Sequence, residues 1–283
     1  MSSPTILITG SSTGIGHACA LLLDQRGFKV FAGVRNTADG ERLKTKASPH
    51  LTPILLDVTK PETIEKAFEF VKNEVGENGL SGLINNAGIG IASPVEFFPM
   101  QDLRSIFEVN VFGQISVIQT FLPLLRQAKG RIINIGSIGD RITMPFGGAL
   151  CASKSAFASL TEAMRLELSA WDIKVSLIEP ASISTPAVDK VKAGNEKRIE
   201  DLPKEGARLY ASKFKLFTQR AIAREKNGSQ PEVVAHVVYH ALTTKQPKTR
   251  YLAGKDSNLL ATLAKWAPDP VLDKIRLRLF GLN

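Results

Sequence analysis

The first stretch of this chain with chemical character is TGSSTGIG, Thr9 to Gly16. It places Gly10, Gly14 and Gly16 after the β-branched run TILIT and just before a helical pattern. Glycines there let the backbone turn tightly and approach a ligand closely. The helix start behind them offers unpaired N–H groups and a partial positive charge. That combination suits a pyrophosphate, and the strand–turn–helix placement lifts three glycines above an ordinary turn. Gly10, Ser12, Gly14, Ile15 and Gly16 are the expected contacts. The second apolar run, KVFAGV, is followed by Arg35. An acidic residue at this point would bind a ribose 2′-hydroxyl and repel a 2′-phosphate. None is present, and a guanidinium can pair with phosphate. The residues favour NADP(H) over NAD(H).

Other reactive side chains carry less. Cys19 and Cys151 lie in helical segments without metal spacing or a disulfide framework. A reducing, cytoplasmic setting follows as the expectation. His17, His50, His236 and His240 match no ligand pattern. His236 and His240 share a helix face but lack a third ligand, so no metal site is expected. Asp140 reads as an exposed loop carboxylate paired with Arg141; the alternative is a buried acid reaching the pocket with a raised pKa.

These residues need elements to hold them. Strand-like runs at TILIT, KVFAGV, LTPILLDV, GLINNAG, GRIINIGS, IKVSLIEP and TRYLAG alternate with helical segments. Among the helices are PETIEKAFEFVKNEV, opened by proline, a long segment from Met100 to Gln127, Ala152 to Ala170, and PEVVAHVVYHAL. Strict alternation predicts an α/β fold: a Rossmann-type, doubly wound parallel sheet with right-handed crossovers. No repeat or linker divides residues 1–283, so one domain is expected. A polar, basic segment, 189–229, interrupts the rhythm. It is too long for an ordinary connection and reads as a lid or mobile excursion over the crevice where ligands bind in such sheets. Its Leu209, Tyr210, Phe214, Leu216 and Phe217 face either a lipophilic substrate or the core or a subunit contact. The tail, 259–283, is amphipathic and basic; packing on the domain or on another subunit is favoured over peripheral contact with a membrane surface.

Composition narrows the class. The 283 residues are 43% apolar, enough for a substantial core, and 22% charged, with a formal charge of +9. The basic residues are dispersed and not interleaved with aromatics, which speaks for a solvated surface and against nucleic acid. The longest apolar runs are strand-length, short of the ~20 residues of a membrane helix. MSSPTILITG has no basic start followed by an apolar core, so no secretory signal is expected.

TGSSTGIG, NNAG (Asn85 to Gly88), EVNVFG around Asn110, NIGSIG around Ser137 and CASK ending at Lys154 occur in one order along the chain. In that order they resemble the short-chain dehydrogenase/reductase family over nearly the whole length. VFAGVRN and CASKSAF are most similar to the branch holding 17-beta-hydroxysteroid and retinol dehydrogenases. The resemblance implies hydride transfer between NADP(H) and a lipophilic alcohol or ketone. It implies that Asp57 bonds the adenine, and that Asn86, Ala87 and Gly88 line the cofactor while Asn85 stabilises the sheet. Ser137 would donate to the substrate oxygen, and Lys154 would hold the nicotinamide ribose. Asn110 would anchor a proton-relaying water. Thr185 would bond the carboxamide, with Pro180 and the Ile183 backbone beside it. Ala181 replaces the family's glycine after that proline, and a small local adjustment is expected. A homodimer or homotetramer built on the helices around Asn110 and Lys154 is also implied.

One position departs. The family places a tyrosine four residues before the lysine, where its hydroxyl exchanges a proton with the substrate oxygen. Here that position is Leu150, which has neither proton nor hydrogen bond to give. Cys151 is turned ~100° away on a helix, and Tyr210 lies only three residues before Lys213. Three readings stay open: a binding-competent chain that has lost its acid, a slow or altered reaction through Ser137, Lys154 and water, and a non-redox cofactor-binding sensor or scaffold.

Overall fold

The computed structural model describes residues 3–282. Seven parallel strands form one sheet: β1 (Thr5–Ile8), β2 (Lys29–Val34), β3 (Leu51–Leu55), β4 (Gly82–Asn85), β5 (Arg131–Ile135), β6 (Lys174–Pro180) and β7 (Arg250–Ala253). Their spatial order is β3-β2-β1-β4-β5-β6-β7. The strands are short and mostly apolar because both faces are covered, as a parallel sheet requires. On one face Leu23 of α1 (Gly14–Gln25) and Val234 and Val238 of α9 (Pro231–Thr243) bury Ile6, Ile8 and Ile133. On the other, Val71 of α3 (Pro61–Val75) and Val117 and Phe121 of α5 (Gly113–Ala128) bury Leu7, Leu83 and Ile132. α3 starts at Pro61, whose fixed φ and missing N–H suit a first helical turn. Its Ile64, Ala67, Val71 and Val75 form one buried stripe.

The predicted sheet and its doubly wound arrangement are observed, with three differences in the helices. A helix absent from the sequence reading, α2 (Thr37–Lys44), follows β2 and is capped by Asn36, whose side-chain oxygen accepts from Asp39 N–H at 2.9 Å. The segment read as one helix from Met100 divides into α4 (Met100–Phe107), a π turn (Glu108–Phe112) and α5. By length and composition alone Met100–Ala128 could cross a membrane. Its Val117, Ile118, Phe121 and Leu125 instead form part of the core beside the sheet, which accounts for the apolar character. The 189–229 excursion is not irregular: it lies within α7 (Ala187–Glu200) and α8 (Lys204–Lys226) and the turn beyond. Its apolar residues divide between core, cavity wall and surface. Phe214 and Phe217 are buried with Phe280, and Phe217 also lines a cavity, whereas Leu209 is exposed. The tail forms α10 (Ser257–Trp266) and α11 (Asp269–Leu279), packed on the domain through Ala261, Leu272 and Phe280; Asn283 lies outside the described residues.

Candidate active site

The strand order reverses between β1 and β4, which opens a crevice at their carboxyl ends. The loop after β1 forms one wall. Gly10 has φ of 68°, and a Cβ there would sit 2.9 Å from Ala87 Cα. At Gly16 a Cβ would collide with the Gly10 carbonyl oxygen and Asn86 Nδ2. Asn86 holds this loop: its Nδ2 donates to Thr9 O and Gly10 O at 3.0 Å each. Thr9 Oγ1 in turn accepts from the Asn86 and Ala87 N–H groups. The Thr13 side chain does not cap α1, so the first-turn N–H groups face the crevice without it. The glycines and Asn86 fit a pyrophosphate held by backbone.

Arg35 is exposed just past β2 and has no ion-pair partner among the described residues. The Asp57 carboxylate accepts from Thr59 N–H (3.0 Å) and Thr59 Oγ1 (2.8 Å), which fixes the turn after β3. Asn85 Nδ2 donates to Asn134 Oδ1 and Asn134 Nδ2 to Thr161 Oγ1, both at 2.9 Å, tying β4 to β5 and to α6 (Gly148–Glu167). Asn110 stands in the π turn, a backbone irregularity that aims a side chain inward. It is buried, exchanges two 2.9 Å bonds with the Ile89 main chain, and donates to Ser153 Oγ at 3.0 Å.

Ser137 ends the β5 loop, where its hydroxyl accepts from Gly139 N–H at 3.0 Å. One turn of α6 places Leu150 and Lys154 on one side of that helix. The Lys154 ammonium is buried and donates to Ile135 O at 2.8 Å. Burial pulls its pKa down to about 8, against the pull of the Asp140 charge. Ser137, Leu150, Lys154, Gly88, Pro180, Ile183 and Thr185 all border one cavity of about 440 Å³. Its other walls are largely apolar, with Ile89, Ile91, Ile142, Met144, Phe217 and Leu260. Ala181 is not among the residues with positive φ, so alanine follows Pro180 without strain.

Several sequence expectations change here. Asp140 is neither exposed nor paired with Arg141. Its side chain is 2% exposed and pairs with Arg250 at 2.7 Å, while Arg141 forks onto Glu179 at 2.5 and 2.8 Å. Burial, then the Glu179 charge, push the Asp140 pKa up to about 7. It does not border the cavity. Tyr210 donates to Glu96 at 2.7 Å on the surface and is also outside the cavity wall. Three charged residues that the sequence did not single out do border it: Arg224, Glu225 and Arg276. Nothing in the run AREKNG marks one of its charges as inward-facing; the signal is tertiary. Among the described residues no three His, Cys, Asp or Glu side chains gather as a metal site.

Glu225 accepts from Ile183 N–H at 3.3 Å. Burial pushes its pKa up from 4.5 to about 7. A carboxyl with a raised native pKa contributes stability that is complete below its unfolded pKa and lost as pH rises through the native one. Between pH 4.5 and about 7 the wild-type chain should therefore lose stability relative to Glu225→Gln, by roughly 3 kcal/mol in all. Urea unfolding of both chains across that range checks this; parallel pH dependences would refute it.

The sheet order and the glycine loop at its switch point define a dinucleotide-binding α/β protein. The family model for short chain dehydrogenases matches residues 4–196. The human dehydrogenase/reductase SDR family member 9 is 36% identical over 268 residues, covering 93% of this chain and 82% of that protein. Mouse retinol dehydrogenase 5 is 35% identical over 97% of this chain and 88% of its own. Among solved structures, a short chain dehydrogenase from Burkholderia cenocepacia in complex with NADP superposes with a TM-score of 0.74, at 24% identity, over 97% of this chain and 98% of that one. The chain belongs to the short-chain dehydrogenase/reductase family, in its retinol dehydrogenase-like branch.

Proposed function

We propose that this chain binds NADP(H) at the β1–β4 crevice and transfers hydride between it and a lipophilic alcohol or ketone. The observation that carries this reading is the single cavity that borders Ser137, Lys154, the Gly88 turn and Thr185 together with an apolar wall. The relatives support the reaction class: human and mouse members are described as dehydrogenases. When bound, the nicotinamide supplies or accepts the hydride. The Ser137 hydroxyl donates to the carbonyl oxygen and polarises it. Lys154, with its pKa drawn down to about 8 by burial, is the cationic proton reservoir beside that oxygen. Leu150 supplies neither a proton nor a hydrogen bond, so proton delivery runs through weaker routes and turnover is slow. α7 and α8 act as the lid over the apolar end, and the exposed Phe112, Leu160 and Leu166 fit a homodimer or homotetramer. The two buried free thiols, Cys19 and Cys151, fit a reducing, cytoplasmic setting.

NADPH oxidation with a panel of steroid, retinoid and long-chain carbonyls tests the reading. Slow, carbonyl-dependent oxidation supports it; tight NADPH binding with no turnover by this chain or by Leu150→Tyr favours a sensor. Cofactor choice has its own test. Arg35→Ala should weaken NADPH binding about tenfold while leaving NADH nearly unchanged, because only the former presents a phosphate to the guanidinium. Fluorescence titration with both cofactors measures it; equal losses would remove Arg35 from cofactor selection.

A further inference from the structure

The cavity is apolar over most of its wall, yet α11 contributes Arg276 to it. This guanidinium is only partly engaged. Asp273, one turn back on the same helix and 62% exposed, takes Nη1 at 3.1 Å. The Nε group is buried and meets no acceptor among the described residues. A buried donor left without an acceptor is disfavoured, and native chains seldom keep one without use. Nη2 likewise makes no hydrogen bond among the described residues, and the Nε/Nη2 edge carries two parallel N–H groups of the kind that grip a carboxylate with two hydrogen bonds. Phe280, Leu279 and Leu260 line the same cavity and would receive alkyl chain. The balance of charge agrees. Arg224 is paired with Asp256 at 2.8 Å, which leaves Lys154 and Arg276 as the cations bordering the cavity against one carboxyl, Glu225, whose pKa is raised.

We propose that Arg276 is a substrate-specificity residue that binds the carboxylate of an amphipathic acid, so that the preferred substrates are long-chain oxo or hydroxy acids. Neutral ketones of the same length are disfavoured, since they leave the guanidinium edge unfilled. The inference rests on the proposed hydride-transfer reading and narrows its substrate class.

Ketostearic acid and its methyl ester form a matched probe pair, differing in the charge that Arg276 would read. Calorimetric binding to the NADP-loaded full chain should favour the acid by about 10- to 100-fold. Arg276→Gln should erase that preference while leaving ester binding and NADPH affinity unchanged. Arg276→Lys should keep part of it, because an ammonium retains the charge but not the fork. Equal binding of acid and ester by the wild-type chain overturns the assignment, as does binding of neither. A preference that survives in Arg276→Gln, or a loss of NADPH affinity there, also overturns it. Turnover is read separately. Reduction of neutral retinoid and steroid carbonyls without acid preference removes Arg276 but leaves hydride transfer standing. Acid preference in binding without turnover of any carbonyl leaves Arg276 standing and removes the reductase reading.

Discussion

Leu150→Tyr is expected to raise carbonyl-dependent NADPH oxidation by about 10²–10⁴-fold, the usual contribution of one positioned general acid. Position 150 borders the cavity one helical turn before Lys154 and faces the Gly90 loop. A phenol there would stand beside a buried ammonium, which favours its ionised form and brings its pKa from ~10 toward working pH. Leu150→Phe is the control: it fills similar space without a hydroxyl and should leave turnover near that of the wild-type chain. The gain should fall on kcat more than on KM, because the proton is exchanged only as the hydride moves. If the wild-type chain already matches Leu150→Tyr, another group supplies the proton. Glu225 is the one carboxyl on the cavity wall among the described residues, so its glutamine variant would be the next assay.

The parts that the sequence made legible are those with one-dimensional signals. Seven apolar runs separated by helical spacing are enough for a parallel sheet, and β1 to β7 appear where those runs stand. TGSSTGIG announces its loop because glycine is required there by close backbone approach, which Asn86 and Ala87 show. α2 escaped because its TADGERLK is polar all round, held by the Asn36 cap and two buried residues, Gly40 and Leu43. α7 and α8 escaped for a related reason: mostly charged helices lying on an apolar patch show a weak stripe. The inward charges are a different matter. Which of Arg224, Glu225 and Lys226 faces the cavity is fixed by how α8 seats its Phe214 and Phe217 against Phe146 and Phe280, and sequence neighbours do not encode that packing. Proximity alone pairs Asp140 with its neighbour Arg141 in the sequence. Its partner Arg250 lies 110 residues away, brought alongside by the pairing of β6 with β7.

That partnership carries the second large effect. Arg250→Ala should destabilise the fold by about 3–5 kcal/mol, the cost of stripping one partner from a buried ionic cluster. Arg250 binds Asp140 at 2.7 Å, Glu179 at 2.8 Å and Glu162 at 2.7 Å, and the Asp140 and Glu179 side chains are 2% and 0% exposed. Burial alone would raise Glu179, but the Arg141 fork outweighs it and keeps this carboxyl ionised. Asp140, already near 7, is then the group that must take up a proton once Arg250 is gone. Its native pKa rises further, so stability present at low pH is lost as pH climbs through the new value. The deficit should be largest at pH 8 and shrink toward pH 5, as urea unfolding at the two values would show; a deficit independent of pH would place the loss in packing. The cluster also reaches the site. The Asp140 charge holds the Lys154 pKa up against burial. With Asp140 neutral in Arg250→Ala, Lys154 should lose its proton at lower pH, and the alkaline limb of the turnover profile in the Leu150→Tyr background should move down with it. An unmoved limb would mean that the Asp140 charge does not reach Lys154 and that the cluster serves the fold alone.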